Sequence, residues 1–322
     1  MKKKLLLLSL IIFALFTTGC FEKKEDVEPI KPVKGDALIW EVTSTTGGKL
    51  YLVGSIHVGK EEMYPLKSVL TDAFNESDAI AVEADILSYQ KDFALQQSLL
   101  EYMMYLDGTT IQEHIPSELF EKLDKSLDDV KIPGISKKSL YSFKPTTLYS
   151  LIGQNMYEQA GLKAELGVDM HFLELATEKN MPIIEIESME SQLKAMDDLS
   201  TETQLLLLES TIASQYTNYG KQLNDMLDLW IKGNELEFEE YLSKQDNQIL
   251  MSSKQKELYE EYNYTLMTKR NGDMLIKAEE LLKNKKTYFY IVGSAHMFGE
   301  TGLVNQLKNK GYTVTKKQYN EK

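Results

Sequence analysis

Two short stretches, "YLVGSIHVG" from Tyr51 to Gly59 and "YIVGSAHMFG" from Tyr290 to Gly299, share one pattern. Each passes from an apolar run through Val-Gly-Ser to a histidine, giving Gly54-Ser55-Ile56-His57 and Gly293-Ser294-Ala295-His296. Short apolar runs of this kind read as buried strands, and glycine permits the tight turn that brings each imidazole back over the strand end. Of the four histidines in the chain, two stand here. Two units built alike, at opposite ends of the chain, look like a pseudo-duplicate whose halves are expected to pair across one sheet.

The surroundings support this. "ALIWEVTSTTGGKLYLVGSIH" is two strand-like runs around Thr-Thr-Gly-Gly, a hairpin signal. "PLKSVLTDAFNES" has Leu66, Val69, Leu70 and Phe74 at helical spacing, and "AIAVEAD" is a short apolar run ending in Glu83 and Asp85. At the far end "TYFYIVGSAH" is a strand and loop, "GETGLVNQLKNKG" predicts a helix of about three turns closed by Gly311, and "YTVTKK" a last strand. Residues 88–180 and 190–285 show mainly helical spacing, interrupted by a strand in "MPIIEIES", Met181 to Ser188. The expectation is an α/β fold: a central mixed β-sheet from two strand–Gly-x-x-His–helix–strand units, carrying a large helical insertion in a single domain over 37–322.

Ligands of open α/β sheets bind at the carboxyl ends of strands. Those ends hold His57, Glu83, Asp85, Glu187 and His296. Two histidines and a carboxylate with open positions form a ligand set for a Lewis-acid or hydrolytic metal, and such a metal makes a nucleophile from water near neutral pH. Glu187 or Asp85 then serves as general base or as a partner to a ligand; Asp85 equally suits a helix N-cap. Asp169 either opens the helix "VDMHFLEL" or reaches the site. His114 reads as a cap or surface group and His171 as packed. Arg270 is the single arginine beside 35 lysines. It either binds a carboxylate or oxyanion at the rim or pairs on the surface with Glu257, Glu260 and Glu261. Gly-x-Ser-x-Gly, phosphate-loop and His-Glu-x-x-His patterns are all missing from the sequence.

"MKKKLLLLSLIIFALFTTGC" has a basic start, an apolar run from Leu5 to Phe16 and small residues before Cys20. It reads as a secretory signal, with Thr17-Thr18-Gly19-Cys20 resembling a bacterial lipobox. The expectation is cleavage after residue 19 and lipid on Cys20, the only cysteine; an uncleaved anchor or another cleavage site are the alternatives. Residues 20–36 are charged, hold Pro29 and Pro32, and read as a lipidated tether. The partner implied is a membrane, at the extracytoplasmic face of a bacterium. Lys-rich, Arg-poor usage fits a low-GC Gram-positive host. Net charge is -13, and it becomes -16 once Lys2, Lys3 and Lys4 leave with the signal. An acidic chain argues against nucleic acid as a partner.

The paired Gly-x-x-His segments, Glu83, "GVDMHFLELATEKNMPIIEIESMESQL" and the run from "KRNGDMLIKAEELL" through "TYFYIVGSAHMFGETGLVNQLKNKGYTV" resemble the TraB/PrgY/GumN family over roughly residues 37–316. That family is related to the animal TIKI proteins, membrane-tethered metalloproteases that trim an amino terminus with manganese or cobalt. It is grouped with erythromycin-esterase-like (EreA) and ChaN-like folds. The resemblance implies that His57, Glu83 and His296 form the metal and catalytic centre, with Glu83 as third ligand or general base. Glu187 and Arg270 match further polar positions, and Asp169 matches a Gly-x-Asp before the middle helix. The expected function is a lipid-anchored peptidase of peptide or protein substrates, using Mn²⁺, Co²⁺ or Zn²⁺. The alternative is a non-catalytic lipoprotein that sequesters a peptide or tetrapyrrole, since plasmid-borne members reduce the activity of peptide pheromones.

Overall fold

The computed structural model describes residues 33–132, 134–247 and 252–319. The signal, Cys20 and most of the tether lie outside the described residues. Among the described residues no helix is long and apolar enough to cross a membrane.

Six strands form one mixed sheet: β1 (Ile39–Thr43), β2 (Lys49–Ser55), β3 (Ala79–Val82), β4 (Ile183–Glu185), β5 (Thr287–Gly293) and β6 (Thr313–Lys316). Their order is β4-β3-β5-β2-β1-β6. The hairpin expected around Gly47 joins β1 to β2 antiparallel, with Val42 opposite Leu50. The two repeated strands, β2 and β5, lie side by side and parallel, and Ser55 pairs with Gly293. β3 and β4 continue the parallel half, while β6 closes the other edge antiparallel to β1. The central strands are buried on both faces, which is why they read as unbroken apolar runs rather than alternating ones.

The helices that matter below are α1 (Ser68–Asn75), α2 (Pro145–Gln159), α3 (Val168–Glu178), α4 (Met189–Asp197), α5 (Thr201–Ser214), α6 (Tyr219–Lys232), α7 (Ser253–Asn263), α8 (Lys269–Leu282) and α9 (Leu303–Asn309). Start signals are visible in several. Pro145 opens α2, and the Ser188 side chain accepts from Ser191 N–H at the start of α4. α7 runs into α8 through one turn of π-helix, Tyr264–Thr268. The last helix is shorter than its sequence promised. The chain turns first at Gly299 (φ 77°), and the Thr301 carbonyl is taken by side chains, so α9 begins only at Leu303 and spans two turns.

Two apolar cores result. The main one surrounds the sheet, where Phe289 packs between Phe74 and Phe172 with ring centroids 5.4 and 4.6 Å away. A second, Met-rich core gathers Ala84, Tyr89, Met103, Met189, Leu193, Met196, Tyr262 and Leu266. Its segments are those that follow Glu83 and Glu187 and precede Arg270. The strand-end rim lies where the two cores meet.

Candidate metal centre

The His57 loop is held from outside the sheet. Gly59 and Lys163 exchange both backbone hydrogen bonds, each 2.9 Å, and Val168 N–H donates to the Ile56 carbonyl at 2.9 Å. A Cβ at Gly167 would stand 2.6 Å from the His57 carbonyl oxygen, so this approach requires glycine. Docked in this way, the first turn of α3 delivers Asp169, whose Oδ2 lies 3.0 Å from His57 Nδ1. Trp230 on α6 braces the same strand by donating to the Gly54 carbonyl at 2.9 Å.

The second motif is anchored by α8. Ser294 Oγ donates to the Ser55 carbonyl at 2.7 Å, tying the loops together. His296 Nδ1 lies 2.6 Å from Asn271 Oδ1. Asn271 follows Arg270 on α8, so one helical turn serves both halves of the rim.

Glu83 and Glu187 leave the ends of β3 and β4 and turn inwards. Glu83 Oε1 accepts from Gly293 N–H at 2.7 Å, and its Oε2 accepts from Arg270 Nη2 at 2.9 Å. Glu187 receives Arg270 Nη2 at 2.6 Å and Nε at 2.9 Å. Gln192 Nε2 bridges both carboxylates at 3.3 and 3.1 Å. The Arg270 guanidinium also donates to the Leu266 carbonyl of the π-helical turn. Arg270, Glu83, Gln192, Asn271 and His296 are all buried, so this arginine is a core anchor between two carboxylates rather than a surface partner of Glu257, Glu260 or Glu261.

Gly293 marks the point of convergence. A Cβ there would lie 3.0 Å from His57 Nε2, 3.5 Å from Glu83 Oε1 and 3.7 Å from His296 Cδ2. Electrostatics set the two rings apart. Burial lowers the basicity of His57, but the charge and hydrogen bond of Asp169, with Glu83, outweigh it and push its pKa up to about 9. Burial and the nearby Arg270 charge hold His296 well below the usual histidine range. Burial also works against the Arg270 charge, and Glu187 and Glu83 more than restore it.

The structure therefore gathers His57, Glu83, His296, Glu187, Arg270 and Asp169. It turns Asp85 elsewhere: that carboxylate accepts from Ser88 N–H at 3.0 Å and Ser88 Oγ at 2.7 Å, capping the turn Ile86–Tyr89. His114 lies 2.7 Å from Thr109 Oγ1 and stacks on Tyr105, and His171 packs against Tyr64. Two buried groups escape a reading of sequence. Gln192 left a signal, since it interrupts the apolar stripe Met189, Leu193, Met196 of α4. Asn271 left only its place beside the single arginine.

Do these residues suit a divalent cation? Both imidazoles are held through Nδ1, one by a carboxylate and one by an amide oxygen, the support that orients a metal-binding histidine through Nε2. Once an ion displaces the His57 proton, the formal charges of Asp169, Glu83 and Glu187 against Arg270 leave two negative charges, the complement of a divalent ion. Among the described residues, however, no three His, Cys, Asp or Glu are arranged to hold an ion. Glu83 Oε1 stands 3.9 Å from His57 Nε2, while both its oxygens are engaged by Gly293 and Arg270. The donor chemistry fits, and Glu83 completes the set only by yielding part of those bonds.

The family model for TraB/PrgY/gumN matches residues 38–316. The chain belongs to the TraB/PrgY/gumN family. Among named relatives, "Uncharacterized protein YbaP" of Escherichia coli (strain K12) is 27% identical over 281 residues, covering 86% of this chain and 95% of its own. "Metalloprotease TIKI homolog" of Nematostella vectensis is 22% identical over 335 residues, covering 91% of this chain and 69% of its own. No solved structure matches the chain.

Proposed function

We propose that the protein is a metal-dependent hydrolase that cuts peptide bonds at the extracytoplasmic face of a bacterial membrane, tethered by lipid on Cys20. The observation that carries this reading is the meeting of His57, Glu83 and His296 around Gly293, in a chain similar to a protein named a metalloprotease. His57 and His296 would hold Mn²⁺, Co²⁺ or Zn²⁺ through Nε2, with Glu83 as third ligand or general base. When bound, such an ion supplies Lewis acidity and acidifies water. Asp169 orients His57. Arg270 restrains Glu83 and Glu187 by pairing with both carboxylates.

Metal content by elemental analysis is the test, with wild type beside His57→Ala and His296→Ala. About one equivalent in wild type, lost in both variants, supports the reading. No metal in wild type after dialysis against Mn²⁺, Co²⁺ and Zn²⁺ overturns it. The engagement of Glu83 by Arg270 favours a second reading, a rim that sequesters a peptide without turnover. Peptide binding that survives EDTA, with no cleavage, would select it.

A further inference from the structure

In a buried polar chain each amide must face its donors and acceptors correctly, and here that logic runs unbroken from a carbonyl to a histidine. The Thr301 carbonyl can only accept, so the Asn271 group 2.9 Å from it is the amide nitrogen Nδ2. That fixes the amide orientation and leaves Asn271 Oδ1, also an acceptor, facing His296 Nδ1 at 2.6 Å. Nδ1 must therefore carry the hydrogen. Asn271 is 1% exposed and His296 1% exposed, so bulk water offers no substitute partner for either. We propose that Asn271 is the positioning residue of the second motif: it fixes the His296 hydrogen on Nδ1, so that Nε2 carries the lone pair of the neutral ring. The first motif is anchored differently. His57 faces a carboxylate, Asp169, so a full negative charge rather than an amide dipole stands behind its ring. Two motifs alike in sequence are thus anchored by partners of different charge, and in the second the ring hydrogen is fixed at Nδ1. Its use as a metal ligand rests on the proposed function; the tautomer does not.

The experiment uses the full chain labelled with ¹⁵N-histidine, without metal, and reads the tautomer of His296 from two-bond ¹⁵N–¹H correlations. Assignment comes from single substitutions of the other three histidines. Nδ1–H is expected in wild type and in Asn271→Asp, which keeps an acceptor, but not in Asn271→Leu. An Nε2–H tautomer in wild type overturns the proposal, and this readout does not depend on whether Asn271→Leu folds. In Asn271→Leu the affinity for Mn²⁺ or Zn²⁺ should fall about 10–100-fold, with Asn271→Asp closer to wild type. Wild-type metal affinity in a folded Asn271→Leu also overturns the positioning role. A wild type that binds no metal but shows Nδ1–H defeats the hydrolase reading and leaves the tautomer lock standing.

Discussion

Arg270 shows how much a single side chain holds together. It is the only arginine in the chain and it joins Glu83 to Glu187 inside the protein. Breaking a buried ion pair by removing one partner costs about 3–5 kcal/mol, because the other charge stays buried. Arg270→Met should lower the urea midpoint accordingly, and Arg270→Lys should restore little, since an ammonium cannot span two carboxylates as a planar fork does. Gly293→Ala acts otherwise. Its Cβ would crowd His57 Nε2 at 3.0 Å, so we expect a near-normal melting temperature with loss of metal binding. Both histidines and Glu83 were legible as rim residues because strand ends of a parallel sheet share one edge. The choice between Asp85 and Glu187 was not. Each follows a strand, and only the packing of α4 and α8, distant in sequence, turns Glu187 inwards while Asp85 caps its own turn.

Among the elements, the strands and the hairpin were readable from short apolar runs and Gly47, whereas the division of the helices into two cores was not. Periodicity tells which face of a helix is apolar, not which neighbour receives it. Leu193, 4% exposed in the second core, should cost about 2–5 kcal/mol on change to Ala, measurable by chemical denaturation. The edge strand β6 carries a different feature. Lys316 Nζ lies 4.2 Å over the Trp40 ring and, among the described residues, has no hydrogen-bond partner. Burial lowers its pKa to about 8 from 10.5. The unfolded chain then holds this proton more tightly, so the cost is full below the folded pKa and disappears as pH rises towards the unfolded one. Lys316→Met should melt a few degrees above wild type at pH 7, with the gap closing by about pH 10.5. A constant gap across that range would sink the explanation.

Taken together, the fold depends on partners from opposite ends of the chain. β5 sits between β3 and β2, so deleting residues 284–322 removes the centre of the sheet as well as its β6 edge. Such a chain should lack cooperative unfolding by circular dichroism and be degraded quickly by protease. The pairing of β2 with β5, and the Ser294–Ser55 contact spanning 239 residues, also predict slow folding by topology, to be read from stopped-flow refolding.

That same central pair orders events in time. A polypeptide emerging residue by residue presents His57 early and His296 almost last. Until β5 slots between β3 and β2, the nascent molecule owns half a centre. The two halves of the rim can therefore meet only after the tail of the chain is in place. The arrangement acts as a delay written into chain connectivity.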